Sequence, residues 1–214
     1  MNSDFSGRII DLTLPLRGSS SKFNKEMTKT VNRDGWNASM LHIYSHMGTH
    51  IDSPKHFDVS EKTIDEIELE NLVVDSHIVR LPDTEPRKLI QVEDLKNLHD
   101  IKPGEGILFH TGWSKYSEQE EMYRNNLPRI SKELAQWCVD HGIIMIGVEP
   151  PSIADVNNKQ ELTEVHTILL KGGITIVEGL TNLDLIKSSK VKVIALPLKV
   201  EKGDGAPARV IAYD

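Results

Sequence analysis

Short runs of β-branched and other apolar residues recur along this chain, and they constrain its fold more than any other feature. Runs of this length, bounded by polar residues and by glycine or proline, are typical of β-strands. Seven runs predict strands over residues 8–14, 72–81, 106–110, 143–148, 174–177, 191–200 and 209–213. Because these strands outnumber convincing helices, the sequence predicts a single α/β or α+β domain built on a mixed sheet.

Helical spacing is clear in two segments. Residues 130–141 carry apolar side chains on one helical face, and Gly142 follows as a terminator. Residues 164–171 do the same over a shorter length, with Thr163 as the predicted N-cap. The polar stretch 17–33 predicts a long loop.

Length, charge and cysteine content exclude several classes of protein. A chain of 214 residues with 38% hydrophobic residues can bury the core of one domain. Its longest apolar run is too short for a membrane span, and without a secretory signal pattern a cytoplasmic location is expected. A net charge of −7 disfavours nucleic acid as a partner. Cys138 is the only cysteine, so any metal must be bound by histidine and carboxylate.

Histidines cluster in one short segment, since four of the nine lie between residues 42 and 56. Four candidate metal ligands here have even residue numbers: His46, His50, Asp52 and His56. An extended backbone directs alternate side chains to the same side, whereas a helix would separate the last two from the first two. The segment therefore predicts a strand that runs into an irregular loop, with all four side chains facing one way.

The residue types in this cluster favour a transition-metal site. Imidazole nitrogen and carboxylate oxygen together suit zinc, manganese, iron or nickel. The two oxygens of Asp52 could each bind an ion, which makes Asp52 a candidate bridge between two metals. A single histidine is more often a surface or hydrogen-bonded residue than a ligand, but four beside an aspartate favour metal binding. His42 is the weakest candidate, because it lies further along the strand.

The spacing His-x-Gly-Thr-His-x-Asp-x-Pro-x-His-Phe over residues 46–57 resembles the signature of the cyclase-like metal-dependent hydrolases, which include bacterial kynurenine formamidase and isatin hydrolase. The resemblance spans nearly the whole chain and continues in residues 108–113, 147–155, 166–170, 177–180 and 205–211. It implies one α/β domain of the swivelling β/β/α type, assembled as a homodimer or a higher homo-oligomer. It also implies metal-dependent cleavage of a carbon–nitrogen bond in a small amide by attack of metal-bound water.

The resemblance assigns roles to particular residues. His46, His50 and Asp52 would bind a first divalent metal, and Asp52, His166 and Glu178 a second. Zinc is the expected metal, with manganese as an alternative and one or two ions per subunit. His56 would be the general acid and base. From the residues alone His166 and Glu178 are weaker candidates, although Glu178 closes an apolar run where a buried carboxylate would require a cation.

The substrate is less constrained than the site. Bacterial kynurenine formamidases carry a tryptophan after the first strand that contacts the aromatic substrate, and residues 15–23 contain none. Phe23 and Trp36 are candidates to replace it. A lactam hydrolase, an isatin-type hydrolase or a cyclase with the same site chemistry is therefore an alternative. A metal-binding protein without turnover is a second alternative, and the presence of His56 argues against it.

Other motifs carry less weight. No nucleophile-elbow pattern surrounds the candidate nucleophiles Ser45, Ser53 and Cys138. Residues 203–208 resemble a dinucleotide-binding loop, but Pro207 and the strand that follows do not allow the required helix. His110 and Glu149 end predicted strands and are interpreted as part of the scaffold.

Overall fold

A computed structural model describes residues 7–18, 22–96, 98 and 100–214. Over these residues the chain forms a single mixed α/β domain, and most of its predicted strands are present. The strands are β1 (Ile9–Asp11), β2 (Phe23–Lys29), β3 (Ala38–Ile43), β4 (His50–Asp52), β5 (Val73–Arg80), β6 (Leu89–Ile90), β7 (Gly106–His110), β8 (Arg129–Ile130), β9 (Met145–Val148), β10 (Thr175–Glu178), β11 (Lys190–Pro197) and β12 (Gly205–Tyr213).

The helices in the described residues are fewer than the strands. They are α1 (Val31–Asp34), α2 (Glu120–Asn125), α3 (Lys132–Asp140) and α4 (Lys159–Lys171). Helix α3 confirms the first predicted helix, and Ser131 caps it by accepting a hydrogen bond from the Leu134 amide at 3.1 Å. No helix in the described ranges is long and apolar enough to cross a membrane.

Seven strands form a barrel-like closed sheet in the order β4, β12, β11, β5, β7, β9 and β10, and β10 pairs back with β4. Strand β12 is long enough to pair with β4 near its start and with β1 near its end. The run from β5 to β10 is parallel, and the remaining pairs are antiparallel. The prediction of a mixed sheet is therefore confirmed.

The strands bury side chains on both of their faces, because the sheet closes on one side and is covered by helices on the other. Along β7, Leu108 packs into the cluster that contains Ile51, Val177 and Val210. Its neighbour Phe109 packs into a second cluster that includes residues of α3 and α4. Parallel strands buried on two faces have nearly continuous apolar sequences, as residues 143–148 do.

The predicted loop over residues 17–33 is wrong in its central part. Residues 23–29 form β2, which pairs antiparallel with β3 as a separate two-stranded sheet. Six of the seven residues of β2 are exposed, so this strand lacks the alternation of apolar and polar residues by which half-buried strands are recognised. Residues 19–21 of the predicted loop lie outside the described residues.

The predicted start of the second helix is also wrong. Helix α4 begins at Lys159, five residues before the predicted start, and Thr163 lies within it. The N-cap is Asn158, whose side-chain oxygen accepts a hydrogen bond from the Glu161 amide at 3.2 Å. The first turn is polar and exposed, so apolar spacing detects only the later turns.

Candidate metal centre

The register of two strands, β4 and β10, places the central carboxylates and one imidazole together. His50 and Asp52 lie two residues apart on β4, and their side chains are buried on the same side. Strand β10 pairs with β4 so that Glu178 lies opposite His50. Because β10 ends at Glu178, the Glu178 carboxylate lies at the same end of the closed sheet as His50.

Helix α4 supplies a second buried imidazole. His166 lies on the buried face of α4, and its Nε2 is 3.3 Å from Glu178 Oε1 and 3.6 Å from Asp52 Oδ2. On the opposite side, His50 Nε2 is 3.3 Å from Glu178 Oε2 and 3.6 Å from Asp52 Oδ1. Two imidazoles and two carboxylates thus surround one small buried volume.

The other ring nitrogens of these two histidines define their protonation. His50 Nδ1 lies 2.9 Å from the carbonyl oxygen of Gly48, and His166 Nδ1 lies 2.7 Å from that of Leu162. Because a carbonyl only accepts, each Nδ1 must carry the proton and donate it. In the neutral ring Nε2 is then an acceptor, and it faces carboxylate oxygens that are also acceptors. Only a bound cation or an added proton satisfies both the Nε2 lone pair and the carboxylate oxygens. An Nδ1 that donates to a carbonyl while Nε2 faces the cation is a usual orientation of metal-binding imidazoles.

Asp52 gives an independent indication that the site suits a cation. Its side chain is 1% exposed, and its Oδ2 atom has no hydrogen-bond partner among the described residues. A buried carboxylate oxygen without a partner is costly unless a cation or a donor is present. His50, Asp52 and Glu178 offer ligand atoms within 4.8 Å of one another, so the residues fit a divalent metal.

The loops on either side of β4 bring a second pair of rings to the site. His46 Nδ1 is 2.7 Å from Asp52 Oδ1, and the rings of His46 and His56 are stacked with centroids 3.8 Å apart. His46, Asp52 and His56 form a second group with ligand atoms within 4.8 Å. The geometry therefore places His56 close enough to bind an ion as well as to transfer protons.

The predicted path of the backbone through this segment is only partly right. Residues 50–52 are extended, but residues 45–49 form an irregular turn and Pro54–Phe57 forms a 3-10 turn. His46 and His56 therefore approach Asp52 from two loops and not from one continuous strand. The convergence of the four side chains is nevertheless the one predicted.

The charges of the buried groups depend on one another. Burial alone would lower the pKa of His50 and His166, but Glu178 and Asp52 outweigh it and raise both. Burial alone would raise the pKa of Glu178, and hydrogen bonds with the two imidazoles lower it instead. The pair of carboxylates thus favours positive charge between them, whether protons or a metal supplies it.

The outer pair of rings differs from the inner pair. Burial would lower the pKa of His46, but hydrogen bonds with Asp52 and Asp204 raise it to about 9. Burial lowers the pKa of His56, and the attraction of Asp52 does not offset this. His56 is also the most accessible of the six predicted site residues, with 26% of its side chain exposed.

Other sequence candidates lie apart from this centre. His42 is exposed on β3 and faces Glu26 at 3.8 Å. Glu149 is buried and accepts hydrogen bonds from the backbone or side chains of residues 111–114, in agreement with its interpretation as scaffold. The hydroxyl of Ser53 donates to the backbone oxygen of Asp204, and Cys138 lies in the core, so neither is placed as a nucleophile.

One residue near the centre was missed by sequence reasoning. Asp204 Oδ2 lies 3.0 Å from His46 Nε2 and 3.9 Å from His56 Nδ1. It belongs to the glycine-rich segment that resembles a dinucleotide-binding loop, but that segment leads directly into β12. A carboxylate between two glycines, immediately before a predicted strand, is the signal that could have identified it.

The fold and the donor set together define the class of protein, a mixed α/β domain whose buried histidines and carboxylates fit a divalent metal ion. The family model described as "Putative cyclase" matches residues 10–155, and the chain belongs to this cyclase family. A kynurenine formamidase of Bacillus cereus is 29% identical over 209 residues, which covers 94% of this chain and 95% of that protein.

Two solved structures share the fold. One, described as a potential metal-dependent hydrolase with cyclase activity, is 26% identical with a TM-score of 0.78, and the match covers 98% of both chains. The other is an isatin hydrolase bound to the product analogue thioisatinate. It has a TM-score of 0.86 at 20% identity, and the match covers 96% of this chain and 92% of that one. The family predicted from the sequence is thereby confirmed.

Proposed function

We propose that this protein hydrolyses the carbon–nitrogen bond of a small amide at the centre between β4, β10 and α4. The observation that carries the proposal is the buried carboxylate of Asp52: its Oδ2 has no hydrogen-bond partner among the described residues and faces His166, while its Oδ1 faces His46 and His50. Such a donor set fits a divalent ion, and similarity to kynurenine formamidases within the cyclase family supports a role for that ion in amide hydrolysis.

We assign the metal ligands as the family resemblance implies them. His46, His50 and Asp52 would hold one ion, and Asp52, His166 and Glu178 a second. Nitrogen and oxygen donors without thiolate favour zinc, with manganese as the alternative. When bound, such an ion lowers the pKa of a coordinated water and polarises the substrate carbonyl.

His56 is proposed as the residue that moves protons. Its ring lies against His46 and is accessible from solvent, so it can reach a water molecule beside the centre. Its neutral nitrogen would take the proton from the attacking water and return it to the leaving nitrogen, since an amine leaves only once it is protonated. Phe57 contacts the His56 ring edge at 4.5 Å between centroids and helps to orient it.

Two substitutions test these roles. His56→Ala is expected to retain bound metal and to lose activity by about 10²- to 10⁴-fold. Asp52→Ala is expected to lose both metal and activity, because it removes the residue shared by both ligand sets. Elemental analysis and amide hydrolysis are measured on the same preparations, with His42→Ala as a matched control outside the centre. Equal loss of metal in both variants would show that His56 is a ligand, and the scheme would be wrong.

The substrate is proposed to be a small aromatic formamide or cyclic amide. A cavity of about 850 Å³ opens beside His46, and apolar residues line part of it: Leu14, Pro15, Leu16, Met47 and Pro151. A cavity of this size can hold a small molecule with one or two aromatic rings. A screen of formamides, lactams and isatin-like rings, each with and without chelator, tests this range. Metal-loaded protein that hydrolyses none of them would favour a metal-binding protein without turnover.

The assembly, the location and the finer fold class of the protein are also proposed. Exposed apolar residues on and beside β2 and β3, including Met27, Trp36 and Met40, support a homo-oligomer, either a dimer or a tetramer. Light scattering coupled to size-exclusion chromatography measures this directly. A single buried cysteine is consistent with the cytoplasm. The swivelling β/β/α type is retained as the proposed finer classification of the fold.

A further inference from the structure

Asp204 contacts the metal centre without belonging to either group of ligand atoms described above. Its Oδ2 atom lies 3.0 Å from His46 Nε2 and 3.4 Å from the Ser45 hydroxyl, which donates to it. The same oxygen is 3.9 Å from Nδ1 of His56. One carboxylate oxygen thus faces both rings of the stacked pair.

His46 has carboxylates at both of its ring nitrogens. Nδ1 faces Asp52 at 2.7 Å, and Nε2 faces Asp204 at 3.0 Å. A neutral imidazole carries one proton, so only one of these carboxylates can accept a hydrogen bond from it. If Nδ1 offers its lone pair beside Asp52, the proton must be on Nε2, and Asp204 is its acceptor. A carboxylate behind a metal-binding histidine fixes both the tautomer and the orientation of the ring.

The backbone holds Asp204 in this place. Its carbonyl oxygen accepts hydrogen bonds from the Ser53 amide at 3.0 Å and from the Ser53 hydroxyl at 2.8 Å. The next residue, Gly205, pairs with Asp52 in the β12–β4 ladder. A Cβ atom at Gly205 would lie 2.7 Å from His46 Cε1, so the turn passes directly against the ring. The position of Asp204 relative to His46 is therefore set by the same strand pairing that positions Asp52.

We infer that Asp204 is a positioning residue, which accepts the Nε2 proton of His46 so that Nδ1 is directed toward the cation, and which orients the stacked His56 ring. The inference rests on the proposed function, because it assigns His46 as a ligand. With 48% of its side chain exposed, Asp204 is sufficiently solvated to remain a carboxylate without a metal bond of its own.

The test compares Asp204→Ala and Asp204→Asn with the wild type. Loss of a carboxylate behind a metal-binding histidine lowers metal affinity by about 10- to 100-fold. We expect a loss of this size for Asp204→Ala when zinc affinity is measured by competition with a chelator. We expect a smaller loss for Asp204→Asn, whose amide oxygen still accepts the hydrogen bond. Glu201→Gln, an exposed acid in the same turn, is the matched control and is expected to bind zinc like the wild type.

Two further measurements separate positioning from a general structural effect. In the zinc-loaded wild type, NMR should show a downfield His46 Nε2 proton that is absent in Asp204→Ala. Amide hydrolysis should show a fall in kcat at nearly constant KM, while circular dichroism shows the same fold and melting temperature for apo wild type and apo variant. Should Asp204→Ala not fold, Asp204→Asn carries the same measurements.

The outcomes that overturn the inference are distinct from those that overturn the proposed function. If Asp204→Ala binds zinc within twofold of the wild type and keeps its kcat, Asp204 does not position His46. If it loses one whole ion per subunit while Asp204→Asn does so equally, Asp204 is itself a ligand and the inference is wrong. A wild-type protein that binds no zinc or manganese contradicts the proposed function instead.

Discussion

At the scale of single residues, the centre is governed by two carboxylates that are almost completely removed from solvent. Asp52 and Glu178 have side chains that are 1% and 4% exposed, and the imidazoles of His50 and His166 between them are 2% exposed. With neutral rings this small volume would hold two negative charges, and burial of uncompensated charge costs several kcal/mol per ion, about the stability of a domain. A divalent cation compensates both charges and uses the lone pairs that the rings present.

The only thiol in the chain, that of Cys138, is expected to be unreactive in the folded protein. Cys138 is buried on α3, and burial raises the pKa of its thiol to about 12, so thiolate is scarce at neutral pH. Native protein should therefore react with a disulfide reagent such as DTNB far more slowly than unfolded protein, which should release one equivalent. Cys138→Ala should keep its hydrolytic activity, because Cys138 takes no part in the proposed chemistry. Rapid labelling of native protein with loss of activity would restore a thiol nucleophile as a candidate.

At the scale of secondary-structure elements, the sequence predicts which residues converge better than it predicts how. The donor spacing in residues 46–56 identifies the cluster, but only His50 and Asp52 use the alternation of a strand. His166 and Glu178 lie more than 100 residues away, and their proximity depends on the β10–β4 pairing and on the docking of α4. Such long-range pairing leaves no local pattern in the sequence, so the family resemblance was needed to assign them.

The contact between β10 and the turn before β4 can be tested through a glycine. Gly179 has φ +70°, and a Cβ atom there would lie 2.4 Å from the carbonyl oxygen of Gly48. That oxygen accepts a hydrogen bond from His50 Nδ1. Gly179→Ala is expected to destabilise the fold by about 1–3 kcal/mol and to weaken metal binding, because the turn must move.

Gly173 provides the control for that substitution. It also has a left-handed backbone, with φ +75°, but apart from its chain neighbours no atom of the described residues lies within 4 Å of an added Cβ. Gly173→Ala should therefore show the cost of the backbone conformation alone. Denaturant unfolding and zinc titration of both variants measure the difference, and equal effects would mean that the Gly48 contact is unimportant.

At the scale of the whole molecule, the apolar runs predict the mixed sheet and all of its strands except β4, but not its closure. Closure requires the start of β12 to pair with the three residues of β4, a strand too short and too polar to be recognised by periodicity. The β2–β3 sheet is missed for a related reason, since its exposed strands bury little apolar surface. Apolar periodicity therefore predicts the elements that bury apolar side chains in the core. It does not predict elements that contribute little to the core.

Acid stability is a property of the whole sheet, and one cluster of charged residues around Glu105 should contribute to it. Glu105, just before β7, receives hydrogen bonds from Lys190 on β11 and from the Lys102 amide, and His77 on β5 lies 2.8 Å away. Burial would raise the pKa of Glu105, but these partners, led by Lys190, lower it to about 2 from an ordinary value of 4.5. Because the folded-state pKa is the lower one, this carboxylate stabilises the fold fully above about pH 4.5. Its contribution is lost as the pH falls toward 2.

Glu105→Gln is expected to remove this contribution. After allowance for solvent screening around the half-exposed Lys190, the variant should be less stable than the wild type by about 1 kcal/mol at pH 6, and the difference should shrink toward pH 2.5. The exposed Asp75–Lys192 pair joins β5 to β11 at 2.7 Å, so Asp75→Asn is the matched control and should change stability by less than about 0.5 kcal/mol. The carboxylates of the metal centre are common to all three proteins, so their own titration cancels in the comparison. Urea unfolding at several pH values measures the free energies, and a pH-independent difference between wild type and Glu105→Gln would mean that packing, not charge, accounts for the role of Glu105.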